Sequence, residues 1–595
     1  MNLIIDILEE RISAAMAAVS GQSTCPAIVL PATDAKFGDY QVNGIMPLAK
    51  QLKINPRKLA EDVVKNLSLS DICETPEVAG PGFINLRLKA DFIAKKLLSA
   101  AKSDRLGIEG TNKPQTIVVD FSGPNIAKQM HVGHLRSTII GDAICRLLES
   151  QGHTVIRQNH IGDWGTQFGK LCAYFDKKIL TKPDGDAING EAINIDETLA
   201  DIEGFYREAN RLYETDEKFA KTARAAVVGL HTGDVPWKTY WEQIVKTTSK
   251  HFREIYNRLG VSLEDKDERS ESFYKDKLAG VVEDLKKLGL AKESEGAICV
   301  FPEGFKDKNG NPLPLIIQKT DGAYLYATTD LAAIRYRVNE LKANRVIYVT
   351  DARQGLHFEM VFAVARLAGW AKDTELVHVT FGSVLGEDGK PLKTRSGESV
   401  KLKELLDEAV ERTKEVVEEK NPELPKDEKE KIAVAVGVGA VKYADYSNNR
   451  TSDYIFSFDR MLAMEGNTAP YMQYAYARVK SIERKAEQRG IEKYQISNLK
   501  SQIPNLIEPA ELQLAKHLIH FDEALAAAAA DLRHNYLTSY LYELAQKFSF
   551  FYADCPVLDC SADKRPTRLL LCDLTARTLK CGLTDLLGIE VVEQM

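Results

Sequence analysis

Two stretches of the chain run through strand, loop, helix and strand in the order of a parallel sheet. TIVVDF, from Thr116, is a short unbroken apolar run, the pattern of a strand buried on both faces. The loop SGPNIAKQMHVG follows it. A helix then starts near His134, with Leu135, Ile139, Ala143, Ile144 and Leu147 on one side, and TVIRQN supplies the next strand. RVIYVT, the loop Asp351 to Gly355, an apolar helix from about Leu356 to Ala368 and LVHVTF repeat the plan. Such units build a doubly wound, Rossmann-like sheet, whose ligands bind beyond the carboxyl ends of the strands, where both loops lie.

The flanks follow other periods. MNLIIDILEERISAAMAAVS carries Ile5, Leu8, Ile12 and Met16 at helical spacing among acids, and lacks the basic start and unbroken apolar stretch of a secretory signal. In GPGFINLRL, Ile84, Leu86 and Leu88 alternate with Asn85 and Arg87, the period of a strand with one buried and one open face. Lys177 to Lys292 reads as a mostly helical insertion. The charged stretch ERTKEVVEEKNPELPKDEKEK, with Pro422 and Pro425, separates the sheet region from a wholly helical remainder that includes the run Ala526 to Ala530. The expected organisation is a small α+β domain over 1–107 and a Rossmann-like α/β domain over 108–405 with a helical insertion at about 177–292. A connecting helical region over 406–460 and an all-α domain over 461–595 complete it.

Composition changes this picture little. At 595 residues, 44% hydrophobic and 27% charged, with no apolar run long enough to span a bilayer, the chain reads as a multidomain, soluble, cytoplasmic protein. The 9 cysteines are scattered, and Cys555 and Cys560 lack the spacing of a structural zinc site, so reduced thiols and no zinc are expected. A net charge of -7 argues on average against a nucleic-acid partner, yet leaves room for a locally basic surface.

The first loop changes it more. PNIAKQMHVGH sets Lys128, His131 and His134 at intervals of three where a helix begins, and a helix N-terminus offers free N–H groups to an anion. Gly133 lets a phosphate or base approach the backbone. No Gly-Lys-Ser or Gly-Lys-Thr of a P-loop is present. Taken alone, two histidines three apart equally suit a helix cap or a metal. After LVHVTF, the segment KPLKTRSGESVK holds Lys390, Lys393, Arg395 and Lys401, a basic loop able to close on a leaving pyrophosphate. Together the two loops bracket one ATP site suited to activating a carboxylate.

These residues carry a family resemblance. His131-Val132-Gly133-His134 resembles the HIGH signature of class I aminoacyl-tRNA synthetases, and KTRSG resembles a degenerate form of their KMSKS loop. The match is closest to the arginyl-tRNA synthetases. FSGPNIAKQMHVGHLRST, NHIGDWGTQFG, SESFY, LYATTD and GNTAPYMQYAYARV resemble that family's segments in the same order along nearly the whole chain. The second KMSKS lysine is missing, with Arg395 nearest its place, and the resemblance implies that Lys128 shares the compensating charge.

By position, the resemblance puts the family's arginine ligands on Asn125, Glu271, Tyr326, Asp330 and Gln354. Two carboxylates, a phenol and two amides suit a guanidinium. Each has an ordinary alternative: Asp330 as the cap of the helix LAAIRY, alone or while also a ligand, Tyr326 as core, Glu271 as a surface charge. The resemblance implies ATP with Mg2+, attack of the arginine carboxylate on the α-phosphate, and transfer from the adenylate to the terminal adenosine of tRNA(Arg). His131, His134, Lys128, Lys393 and Arg395 would serve the phosphates. Phe83 and Asn85 match positions that read the tRNA D-loop corner. Tyr471, Tyr474 and Arg478, on one helical face, suit stacking with anticodon bases. His160, Trp164 and His357 fall near the active-site wall without an assigned step. A monomer is the family's default. The rival readings are a synthetase for another amino acid, disfavoured by the acidic pocket, and a retired synthetase that only binds RNA, disfavoured by the intact loops.

Overall fold

The computed structural model describes residues 3–126, 128–180, 201–393, 399–491 and 504–595. They form two compact units. The first joins the two ends of the chain, residues 1–112 with 463–586 and 590–595; the second holds residues 113–462 and 587–589.

In the first unit, α1 (Ile4–Ser20) buries Ile4, Leu8, Ile12 and Met16, so its stripe starts on Ile4 rather than on Ile5. Gly21, with φ 69°, ends it in the left-handed conformation. Strands β1 (Val29–Pro31), β2 (Tyr40–Val42), β3 (Glu77–Ala79) and β4 (Phe83–Leu86) make an antiparallel sheet in the order β1-β2-β4-β3. Helices α2 (Ile45–Leu52), α3 (Pro56–Lys65) and α4 (Ala90–Lys102) complete this α+β part. The alternation along β4 misleads at Asn85. The residue lies at 7% exposure, and its Oδ1 accepts a hydrogen bond from Gln41 Nε2 at 2.9 Å, because Gln41 stands opposite it in the register.

The second unit contains the parallel sheet. β5 (Thr116–Asp120), α5 (Val132–Ser150) and β6 (Thr154–Gln158) form one unit of it. Gly141 lets α5 close on the sheet, since a Cβ there would stand 2.2 Å from the Phe121 ring. The inserted helices are α6 (Thr166–Leu180), α7 (Ile202–Thr215), α8 (Glu217–Thr232), α9 (Val235–Leu259) and α10 (Leu278–Lys287). Three short antiparallel strands follow, β7 (Ala291–Ser294), β8 (Ala297–Val300) and β9 (Leu315–Gln318), which the sequence reading did not anticipate. Then come α11 (Tyr326–Asn339), β10 (Arg345–Asp351), α12 (Gly355–Leu367) and β11 (Glu375–Phe381). The four parallel strands run β11-β10-β5-β6, so the winding reverses between β10 and β5. A core of α11, α12 and sheet residues, including Leu331, Val346, Val361 and Leu376, holds this face together.

The charged stretch forms most of α13 (Leu402–Lys420) and the start of α14 (Lys426–Tyr446), and its prolines mark the turn between them. The Tyr446 hydroxyl on α14 donates to Ile139 O of α5 at 2.9 Å. β12 (Val384–Leu385) pairs in parallel with β13 (Tyr454–Ile455), a strand inside the region read as wholly helical.

Back in the first unit, α15 (Ala469–Gln488), α16 (Pro509–Leu518), α17 (Phe521–Asp531), α18 (His534–Asp554) and α19 (Arg565–Lys580) are the carboxyl-terminal helices. They are joined to the α+β part by polar ties. The Tyr40 hydroxyl donates to Glu523 Oε1 at 2.7 Å, Lys516 Nζ meets Asp39 Oδ1 at 2.7 Å, and Arg577 Nη1 donates to Ala101 O at 2.9 Å.

Candidate active site

Beyond the carboxyl ends of β5 and β10, where the winding reverses, a cleft of about 550 Å3 opens in the second unit. The loop after β5, the first turn of α5, the loop after β6, the start of α11 and the segment after β10 line it.

His131 is the N-cap of α5, and its Nδ1 accepts from the Gly133 N–H at 3.1 Å. His134 Nδ1 accepts from the His131 N–H at 3.1 Å, which closes a reciprocal cap. With each Nδ1 used as an acceptor, the proton of each neutral ring sits on Nε2. Burial and then the charge of Lys128 lower His131; burial, then His131, lower His134 to about 3. The rings, 4.1 Å apart, are therefore neutral donors at pH 7. The cap orients each Nε2–H, so capping the helix leaves both rings able to donate to an anion. A Cβ on Gly133 would approach the His131 ring to 2.8 Å, so the glycine gives that ring its place.

Gly133 and His134 line the cleft. Lys128 is exposed and lines a second cavity of about 190 Å3 beside the same loop, with Met130, Phe252 and Lys403. Lys393 is exposed, and its backbone bridges Ser399; Arg395 lies outside the described residues. The base of the second loop is bonded to the first. The Val132 N–H donates to Val400 O at 2.9 Å, and the Leu402 N–H to Met130 O at 2.9 Å.

Asn125, Glu271, Tyr326, Asp330 and Gln354 all line this cleft. Their ordinary alternatives do not hold. Tyr326 is 73% exposed and so is no core residue. Asp330 is not a cap, because α11 starts four residues earlier at Tyr326 and its N-cap is Leu325. Asp330 Oδ2 instead lies 2.6 Å from His357 Nε2. Burial pulls His357 down, but the hydrogen bond and charge of Asp330 outweigh it and leave that imidazole raised. Glu271 is no surface charge: burial, then Asp163 and Asp330, push its carboxyl up to about 7.

Three polar side chains stand beside these: His357 and His160, which the sequence singles out without a step, and Asp163, which it does not single out. His357 orients Asp330. His160 lines the cleft and stacks on Tyr274 with ring centres 5.6 Å apart, and its buried Nδ1 has no hydrogen-bond partner among the described residues. Asp163 accepts from the Ser272 N–H at 2.9 Å and the Ser272 hydroxyl at 2.6 Å, which fixes the segment carrying Glu271. The run NHIGDW held two of the three, but a lone histidine or aspartate in a loop carries no periodic signal.

The residues assigned to RNA lie in the first unit. Phe83 is half-buried at the start of β4, next to the buried Asn85. On α15, Tyr471, Tyr474 and Arg478 are half-buried. Arg478 Nη2 donates to the Tyr474 hydroxyl at 2.6 Å, its guanidinium lies 5.5 Å from the Tyr552 ring centre, and Tyr471 packs edge-on against Tyr542 at 5.9 Å.

The doubly wound sheet with a histidine-capped helix at its reversal point agrees with the class I aminoacyl-tRNA synthetase catalytic domain that the family comparison shows. The family model for the catalytic domain of "tRNA synthetases class I (R)" matches residues 96–458. Models for an "Arginyl tRNA synthetase N terminal domain" and a "DALR anticodon binding domain" match residues 6–88 and 472–595. An arginine–tRNA ligase of Synechococcus sp. is 50% identical over 600 residues, covering 99% of each chain. One from Hahella chejuensis is 50% identical over 597 residues, covering 100% of each. The crystal structure of the Plasmodium falciparum arginyl-tRNA synthetase superposes with a TM-score of 0.84 at 32% identity over 100% of both chains. The chain belongs to the arginyl-tRNA synthetase family.

Proposed function

We propose that the chain activates L-arginine with ATP to arginyl-adenylate and pyrophosphate, and transfers the arginyl group to the 3′-terminal adenosine of tRNA(Arg). The observation that carries this reading is the single cleft in which Gly133 and His134 share a wall with two carboxylates, a phenol and two amides. Glu271 and Asp330 neutralise the guanidinium, while Asn125, Tyr326 and Gln354 accept or donate around it. The Nε2–H groups of His131 and His134 act on the phosphates, and Lys128, Lys393 and Arg395 stabilise the leaving pyrophosphate. Positioning and charge neutralisation suffice for in-line displacement, so no protein nucleophile is needed. ATP would enter as its Mg2+ complex, the cation supplying charge neutralisation to the phosphates. Phe83 and Asn85 meet the tRNA corner, and Tyr471, Tyr474 and Arg478 the anticodon loop. The enzyme acts as a cytoplasmic monomer.

ATP–pyrophosphate exchange tests the first step. It should depend on arginine and be assayed with and without tRNA. Absence of exchange under every condition overturns the reading, and exchange driven by a different amino acid moves it to another synthetase.

The pocket makes a pH prediction. Arginine binds the Glu271 carboxylate, yet in the free protein that carboxyl titrates at about 7. Below this pH it is protonated and neutral, so kcat/KM for arginine should fall as pH drops through that value and level off above it. Glu271→Gln should remove this limb and lower the plateau. A profile without a limb near neutrality would show that Glu271 does not meet the substrate in its charged form.

A further inference from the structure

At the wall of the cleft, a line of buried hydroxyls runs from the inserted helices to the loop that carries Asn125 and to the first turn of α5, which carries His134. Ser122, two residues beyond the end of β5, has φ 74°, a left-handed conformation costly for a residue with a Cβ, and it is 7% exposed. Its N–H donates to Ser137 Oγ at 2.9 Å, and Ser137 in turn donates to Val349 O at 2.6 Å. Its Oγ lies 2.9 Å from Thr138 Oγ1 and 2.8 Å from the hydroxyl of Tyr256, on inserted helix α9.

The proton directions are determined by counting. Thr138 has one hydroxyl proton and donates it to His134 O at 2.7 Å, so it accepts from Ser122. Ser122 has then given its proton, so it accepts from Tyr256. Tyr256 has given its own, and accepts from Asn159 Nδ2 at 3.1 Å. Asn159 Oδ1 meanwhile accepts from the Gly123 N–H at 2.9 Å. The result is a one-way chain, Asn159 to Tyr256 to Ser122 to Thr138 to the carbonyl of His134. Every link is oriented by the next, and such chains polarise in the same sense. Burial pushes the Tyr256 phenol above its ordinary value, so it keeps the proton the chain requires.

We propose that Tyr256 is a positioning residue of the activation step, through which inserted helix α9 holds Ser122 in its strained backbone and so sets Asn125 and the first turn of α5. Without the phenol oxygen, Ser122 loses the donor to its Oγ and Asn159 the acceptor of its amide. The loop Ser122 to Asn125 is then free to relax, moving an arginine ligand while the fold persists. This rests on the function proposed above.

The test is arginine-dependent ATP–pyrophosphate exchange on wild type, Tyr256→Phe, Ser122→Ala and the double variant, with melting curves. Tyr446→Phe is the matched control, since it also removes a buried tyrosine hydroxyl bonded to α5 but lies off the chain. For Tyr256→Phe and Ser122→Ala, kcat/KM for arginine should fall about tenfold or more, with a raised KM. The double variant should be no worse than the poorer single one, because both break one chain, and Tyr446→Phe should retain its KM. If Tyr256→Phe fails to fold, Ser122→Ala cuts the same link from the other side. Unchanged KM in both variants, or losses that merely track the melting temperature in all three single variants, overturns the inference alone. A wild type without arginine-dependent exchange overturns the proposed function and this inference with it.

Discussion

Replacing Asp330 by alanine should cut kcat/KM for arginine in ATP–pyrophosphate exchange by roughly 100-fold or more, the scale expected when one partner of a partly buried charge pair is deleted. The side chain is only 17% exposed, sits on the fifth residue of α11 and is held by His357. In the proposed function it would therefore meet the guanidinium already oriented, with one carboxylate oxygen committed to the imidazole. Asp330→Asn keeps the volume and should show most of the loss, because the charge does the recognition. A second readout separates charge from packing. Asp330 is one of the groups that raise Glu271, so in Asp330→Asn the acidic limb of the arginine profile should move to lower pH. Exchange indifferent to both variants would place arginine elsewhere, and a limb that stays in place would uncouple the two carboxylates.

The sheet was legible in the sequence because its evidence is local. TIVVDF and RVIYVT are unbroken apolar runs, their loops are polar, and the helices that follow carry a clear period. The structure places β5, α5, β6, β10, α12 and β11 on those stretches. The strands β7 to β9 escaped notice because four-residue runs such as AKES carry too little pattern to separate from loop. Asn85 shows a different limit. Its alternation was correct for the backbone, but its burial depends on Gln41, which only the register brings opposite.

The cleft shows the same division. Asn125, Glu271, the pair Tyr326 and Asp330 on α11, and Gln354 come from four segments, and no periodicity links those segments; a resemblance of motifs could. What neither pattern nor motif conveyed was the support behind them. His357 is 27 residues from Asp330, and Tyr256 is 134 from Ser122, so each pairing exists only once the fold has closed. The alternative of Asp330 as a cap does not hold because helix starts in sequence are uncertain by several residues, and Tyr326 opens α11 without a capping side chain.

The largest effect on stability should come from a pair as distant as these. Arg136, two residues beyond His134 on α5, is 1% exposed, and its Nε lies 2.8 Å from Asp445 Oδ2 on α14, also 1% exposed. Its Nη1 donates to Ser452 O at 3.1 Å, and its guanidinium faces the rings of Phe381 and Tyr454 at 5.8 and 5.2 Å. Burial holds the Asp445 carboxyl above its ordinary value in spite of Arg136. Desolvation thus offsets much of the attraction, and the intact pair adds little net stability. Breaking it is another matter. Asp445→Ala leaves a guanidinium in the core without its counter-charge, and should cost about 3–5 kcal/mol, seen as a lower Tm and denaturation midpoint. Arg136→Met with Asp445→Leu removes both charges and should recover most of that loss, because volume is kept and no ion remains buried. The two outcomes together identify the mechanism, since a pair that stabilised by attraction would leave the double variant as weak as the single one. Because α5 begins at the histidine cap, Asp445→Ala should also lower exchange, and the apolar pair should restore it in step with Tm. A single variant melting with wild type would mean that water reaches Arg136 and that α5 is held by its packing alone.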